Sequence, residues 1–208
     1  MRAVVFDLDG TLIDAAPDIN AVVNRVLAAD GLAPLSVAEM RGMIGDGARV
    51  LLERAFAARG AVAGARHLAA FMAGYQANPV VETKCYPGIE DALRALQGQG
   101  RVLGICTNKP IGPTRNILAR LGLTPYFSAV LGGDSTPYRK PDPRHLAAVL
   151  AALEVTDAVM VGDHHNDIEA ATALGLEAIF VAWGYGVAPG AYAVNNAQDM
   201  LNRIAEIG

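Results

Sequence analysis

Short, unbroken apolar runs recur along the chain, and turn residues follow each of them. Ala3–Phe6 leads into Asp9-Gly10-Thr11. Residues 101–107 hold a second run, 158–161 a third that ends at Gly162-Asp163, and 177–182 a fourth, with a shorter one at 129–131 before Gly132-Gly133. Continuous rather than alternating hydrophobicity is the pattern of strands buried on both faces. Between these runs the period lengthens to that of a helix. Ile89, Ala92, Leu93 and Leu96 stand at i, i+3, i+4 and i+7 behind Pro87-Gly88, and Ile117, Leu118 and Leu121 make a similar stripe. Residues 145–153 and 168–174 predict two further helices. Strand and helix alternating from residue 87 onward predict an α/β fold, a doubly wound parallel sheet with a Rossmann-like core.

Residues 15–82 break this rhythm with helical patterns alone. Ile19, Val22, Val23, Val26 and Leu27 form one face between Pro17 and Gly31, and Ser36-x-x-Glu39 has capping-box spacing. Segments 50–58 and 66–75 predict two more helices. A helical cap domain, 15–82, is thus expected within a core made of 1–14 and 83–208, with hinges at 13–17 and 79–86.

The 208 residues are 52% hydrophobic, enough for a buried core, so a disordered chain is excluded. Lys and Arg number 17 against 21 Asp and Glu, a net charge of -4, which lacks the basic footprint of a nucleic-acid binder. Two cysteines, Cys85 and Cys106, make no disulfide framework and fit a reducing compartment. Residues 178–200 are almost uncharged, but Gly184, Gly186, Pro189 and Gly190 interrupt them, and the first residues lack a signal-peptide pattern. The chain is therefore expected to be soluble and cytoplasmic, without a membrane segment.

Four elements carry chemistry, each at a strand end or in the loop beyond it. Asp7-Leu8-Asp9-Gly10-Thr11 places two acids at i and i+2, on one side of an extended chain, where open α/β sheets bind ligands. Acids held together repel, and a divalent cation with oxygen ligands is the usual counterweight. Gly162-Asp163-His164-His165-Asn166-Asp167 sets two more acids four apart at a helix start. Thr107-Asn108-Lys109 and Lys140-Pro141-Asp142-Pro143 add a hydroxyl and ammonium groups suited to a phosphoryl group. Taken singly, each could be an ordinary turn or helix cap.

In this order and spacing the four elements resemble those of the haloacid dehalogenase superfamily of Asp-nucleophile phosphatases, over the whole chain and including a helical cap after the first strand. Ile44-Gly45-Asp46-Gly47-Ala48, Tyr86-Pro87-Gly88, Gly132-Gly133-Asp134 and Arg139-Lys140-Pro141-Asp142-Pro143 bring the likeness closest to members acting on 2-phosphoglycolate. The resemblance implies that Asp7 attacks phosphorus and that Asp9 works as acid and then base. It also implies that Thr107 and Lys140 hold phosphoryl oxygens, with backbone groups near Gly10, Thr11 and Asn108 adding an anion nest. Mg²⁺ would lie between Asp7, the Asp9 carbonyl and Asp163, with Asp167 in support. The implied partner is a small phosphorylated metabolite met by a monomer or homodimer.

Arg49, beside the Gly45–Ala48 turn, is the candidate cation for a substrate carboxylate; its plain alternative is a solvated helical arginine. His164 stands where the family usually has a small hydroxyl residue and is expected at the edge of the site, with His165 solvated. His67 and His145 read as surface or capping histidines, and Trp183 and Tyr185 as packing at the core edge. Gly45-x-Gly47 lacks the third glycine of a dinucleotide fingerprint. A related phosphatase or phosphomutase, a dehalogenase and a phospho-acceptor signalling domain are the competing readings. Asp9 speaks against the dehalogenase, and the insertion after strand one against the signalling domain.

Overall fold

The computed structural model of the chain describes residues 2–77, 79–188 and 190–207; Pro189, one of the breakers within residues 178–200, lies outside them. In chain order the elements are β1 (Ala3–Phe6), β2 (Ile13–Asp14), α1 (Ala16–Ala29), α2 (Val37–Arg41), α3 (Ala48–Ala57), α4 (Ala65–Ala77), β3 (Lys84–Cys85) and α5 (Ile89–Gly98). There follow β4 (Leu103–Cys106), α6 (Ile111–Arg120), β5 (Ala129–Leu131), α7 (Pro143–Ala152), β6 (Ala158–Gly162), α8 (His165–Ala173), β7 (Glu177–Val181), β8 (Ala193–Val194) and α9 (Ala197–Ile207).

Six strands form one parallel sheet in the order β5-β4-β1-β6-β7-β8. The register pairs Phe6 with Ile105 on one side and with Val161 on the other. Successive side chains point to opposite faces. Val4 and Phe6 therefore join one core cluster together with α1, α5 and α9, while Ala3 and Val5 join a second under α7 and α8. Helices on both faces explain why the strands read as continuous apolar runs. The chain builds outward from β1 through β4 to β5, then crosses back to β6, so the strand order reverses beside β1. The crevice at such a reversal, at the carboxyl ends of the strands, is where sheets of this kind bind ligands.

Helices α1 to α4 all lie between β2 and β3, which pair antiparallel with Ile13 opposite Cys85 and Asp14 opposite Lys84. Asp18, in the first turn of α1, is 4% exposed and binds the return strand. Its carboxylate accepts hydrogen bonds from the amides of Val81, Glu82 and Thr83 at 2.9 to 3.1 Å and from Thr83 Oγ1 at 2.6 Å. Tyr185 clamps the outgoing strand: its hydroxyl accepts from the amides of Ala15 and Ala16 and donates to Asp14 Oδ1 at 2.7 Å. The capping box at Ser36 and Glu39 is present as expected. No helix among the described residues is long and apolar enough to cross a membrane.

Removing the Asp18 carboxylate leaves several donors unsatisfied. Asp18→Ala is expected to cost about 2–3 kcal/mol of stability in urea unfolding. An unchanged midpoint would show that these bonds do not hold the segment.

Candidate active site

Four loops meet at the carboxyl edge of the sheet. Asp7 follows β1, Thr107 follows β4, Asp163 follows β6, and Lys140 comes from the loop before α7. Asp7, Asp163 and Asp167 are buried, and each offers a carboxylate oxygen within 4.8 Å of the others. Lys140 Nζ donates to Asp167 Oδ1 at 2.5 Å and stands 2.9 Å from Asp7 Oδ1. The second approach is off the line that a hydrogen bond needs, so this buried Asp7 oxygen has no hydrogen-bond donor.

Two loops built for close approach hold the acids. Gly10 has a φ of 86°, and a Cβ there would collide with the Asp163 carboxylate. Thr11 Oγ1 donates to Asp163 Oδ1 at 3.1 Å, and the amides of Tyr185 and Gly186 donate to Asp163 Oδ2 at 2.7 and 3.3 Å. Asp167 accepts from the His164 amide at 3.0 Å, closing a capping box at the start of α8.

Burial and the charges of Asp7 and Asp167 push the Asp163 carboxyl up to about 8. Burial pushes that of Asp167 up to about 6, against the pull of Lys140. Burial alone would discharge Lys140, but Asp167 and Asp7 overcome it and raise its pKa. Three carboxylates against one ammonium, one oxygen among them lacking a donor, form an all-oxygen donor set suited to a hard divalent cation.

The Asp9 carboxylate stands apart from this cluster. Lys109 Nζ donates to its two oxygens at 3.1 and 2.9 Å and to the Tyr75 hydroxyl of α4 at 2.8 Å. Burial raises the Asp9 pKa although Lys109 opposes it. Asp7, Asp9, Thr107, Asn108 and Lys109 line a cavity of about 50 Å³, and Ile44, Leu51, Phe71 and Met72 from the helical segment close it.

Other residues singled out from the sequence take different positions. The amides of Gly10 and Thr11 donate to Ile13 O and Leu8 O, so neither is free for an anion. The Asn108 side chain is a clamp, donating to Gly45 O at 3.0 Å and Lys140 O at 2.9 Å and accepting from the Lys140 amide. Arg49 is not brought to the cavity: its side chain is 70% exposed and faces Glu53 at 3.8 Å on the outside of α3. His164 caps α8 with its ring against Gly45, and His165 is exposed. His145 and His67 are buried rather than on the surface, but both are hydrogen-bonded, His67 capping the start of α4 by accepting from the Gly64 amide at 2.7 Å. The first lies between Thr107 O and Thr136 Oγ1, and the second stacks on Phe56 and meets Asp30.

The sequence places Lys109 beside Thr107 but gives no sign of its partners, 100 and 34 residues away. Neither does it signal the bond from Asn166 Nδ2 to Asp46 Oδ1, 2.7 Å, that joins α8 to the helical segment.

The chain belongs to the haloacid dehalogenase-like hydrolases, whose family model matches residues 1–175. It is similar to the phosphoglycolate phosphatase of Cereibacter sphaeroides, 48% identical over 193 residues that cover 91% of this chain and 88% of that protein. The phosphoglycolate phosphatase of Rhodospirillum rubrum is 42% identical over 198 residues, 90% of this chain and 82% of the other. Among solved structures, a predicted phosphoglycolate phosphatase from Haemophilus somnus superposes with a TM-score of 0.90 at 28% identity, covering 98% of this chain and 97% of that one. A predicted phosphatase from Clostridium acetobutylicum gives 0.83 at 26% identity over 99% and 98%.

The buried acids give the metal-free protein a distinctive pH response. An unfolded Asp titrates near ~3.9, whereas folded Asp163 keeps its proton to about 8. Between those values the folded state binds the extra proton, so stability falls as pH rises. His145 and His164, whose pKa burial lowers, contribute only below the ~6.5 of an unfolded histidine. The melting temperature of metal-stripped protein is expected to fall between about pH 7 and pH 8.5, and Asp163→Asn to flatten that slope. A profile that is level or rising in the wild type would contradict this.

Proposed function

We propose that the chain is a Mg²⁺-dependent phosphatase that hydrolyses 2-phosphoglycolate to glycolate and phosphate, with the phosphoryl group carried transiently on Asp7. The observation that carries this reading is the placement of Asp7, buried beside Lys140 and grouped with Asp163 and Asp167, at the wall of a cavity that Asp9 also lines. With the Lys140 ammonium beside one of its oxygens, Asp7 attacks phosphorus through the other. Lys140 and the Thr107 hydroxyl take phosphoryl oxygens in this reading and offset the charge gathered there. Asp9, whose pKa burial raises, gives its proton to the departing glycolate oxygen. As a carboxylate it then takes a proton from the water that releases phosphate from Asp7. Asp7, Asp163 and Asp167, with the Asp9 carbonyl, would hold Mg²⁺, which when bound neutralises the repulsion between carboxylates and phosphate.

Residues 15–82 act as the cap in this reading, and 1–14 with 83–208 as the core. A cavity of about 50 Å³ holds little more than a few waters, so the cap opens to admit substrate and closes to exclude solvent. The strands at its two ends, β2 and β3, are the natural pivots. Both cysteines are free, which suits the cytoplasmic setting expected of the chain.

Phosphate release from 2-phosphoglycolate tests the assignment. The wild type is expected to turn it over with Mg²⁺ and to stop when the metal is chelated. Asp7→Asn is expected to lose about 10³-fold or more in kcat with its fold intact. An Asp7→Asn variant of near-normal rate would end the assignment.

A further inference from the structure

We propose that Lys109, together with Tyr75, receives the carboxylate of the substrate; this rests on the reading above that the substrate is a small phosphate ester bearing one. One methylene separates the carboxylate carbon of 2-phosphoglycolate from its ester oxygen. A cation that recognises the acid must therefore sit beside the group that meets that oxygen, which is Asp9. Lys109 Nζ lies 2.9 Å from Asp9 Oδ2 and is the one cation among the described residues lining the cavity. Lys140 lies beside Asp7 and Asp167, on the side of the phosphoryl group, and Arg49 faces outward.

Much of the remaining wall is apolar: Ile44, Leu51, Phe71, Met72 and Pro113. A carboxylate against them without a partner would forfeit its hydration. The Lys109 side chain is 5% exposed, so an ion pair formed there is shielded from water and salt. Tyr75 accepts from Lys109 at 2.8 Å, which leaves the phenolic hydrogen free to donate to a carboxylate oxygen. Tyr75 belongs to α4 and Lys109 to the loop after β4, so binding the acid joins the helical segment to the sheet. A neutral ester of the same size would miss both contacts.

The test compares kcat/KM for 2-phosphoglycolate with that for ethyl phosphate, which has no carboxylate, in the Mg²⁺-loaded full chain. Whatever Lys109 does through Asp9 affects both esters and cancels in their ratio. Lys109→Met is expected to lower the ratio about 10- to 100-fold, mainly by raising KM for 2-phosphoglycolate. Tyr75→Phe keeps the ring, and so decides the matter if Lys109→Met does not fold; it is expected to lower the ratio about 3- to 10-fold. An unchanged ratio in the variants would overturn the proposal. A wild-type ratio near one would overturn the substrate reading itself, and the carboxylate receptor with it.

Discussion

Three buried carboxylates facing one ammonium are the constraint to which the rest of this fold answers. Asp7, Asp163 and Asp167 crowd within 4.8 Å, and Lys140 is the cation between two of them. Burying charge in this way is costly unless each group has a partner. The surrounding loops supply partners for Asp163 through Thr11, Tyr185 and Gly186, and for Asp167 through His164. Asp7 is left with an oxygen that no donor satisfies. An unsatisfied buried oxygen costs the metal-free fold stability and suits an acid that takes a cation as ligand.

The same constraint explains where the helical segment meets the sheet. Asp9, two residues beyond Asp7, is paired with Lys109, and Lys109 in turn with Tyr75 of α4. Asn108 reaches Gly45, and Asn166 reaches Asp46. Each of these contacts starts from a loop that also carries a member of the active site. The helical segment and the acidic cluster are therefore held by the same loops, and the recognition proposed above would fall at the seam.

Much of this was legible in the sequence because each functional loop follows a strand buried on both faces. The runs ending at Phe6, Cys106 and Gly162 fix where Asp7, Thr107 and Asp163 must sit. Arg49 was misplaced for want of helix phase. Leu51, Leu52, Ala55 and Phe56 are the buried face of α3, and at ~100° per residue Arg49 lies about 90° from the middle of that face, on its flank. Strands β2, β3 and β8, two residues each, are too short to show a period. Residues 197–207 do carry a helical period, with Ala197, Met200, Leu201 and Ile204 at i, i+3, i+4 and i+7, so α9 was legible although it is absent from the helices expected above. The pairing of Asp9 with Lys109 and Tyr75 depends on three distant segments meeting, which no local pattern encodes.

The most direct test of the account is to stop the enzyme with acid during turnover of 2-phosphoglycolate, reduce it with borohydride and map the peptides by mass. An acyl phosphate is reduced to an alcohol, so the account predicts homoserine in place of the aspartate at position 7 and nowhere else. Steady turnover with the mark on Asp9, Asp163 or Asp167, or with no mark on any carboxylate, would contradict it.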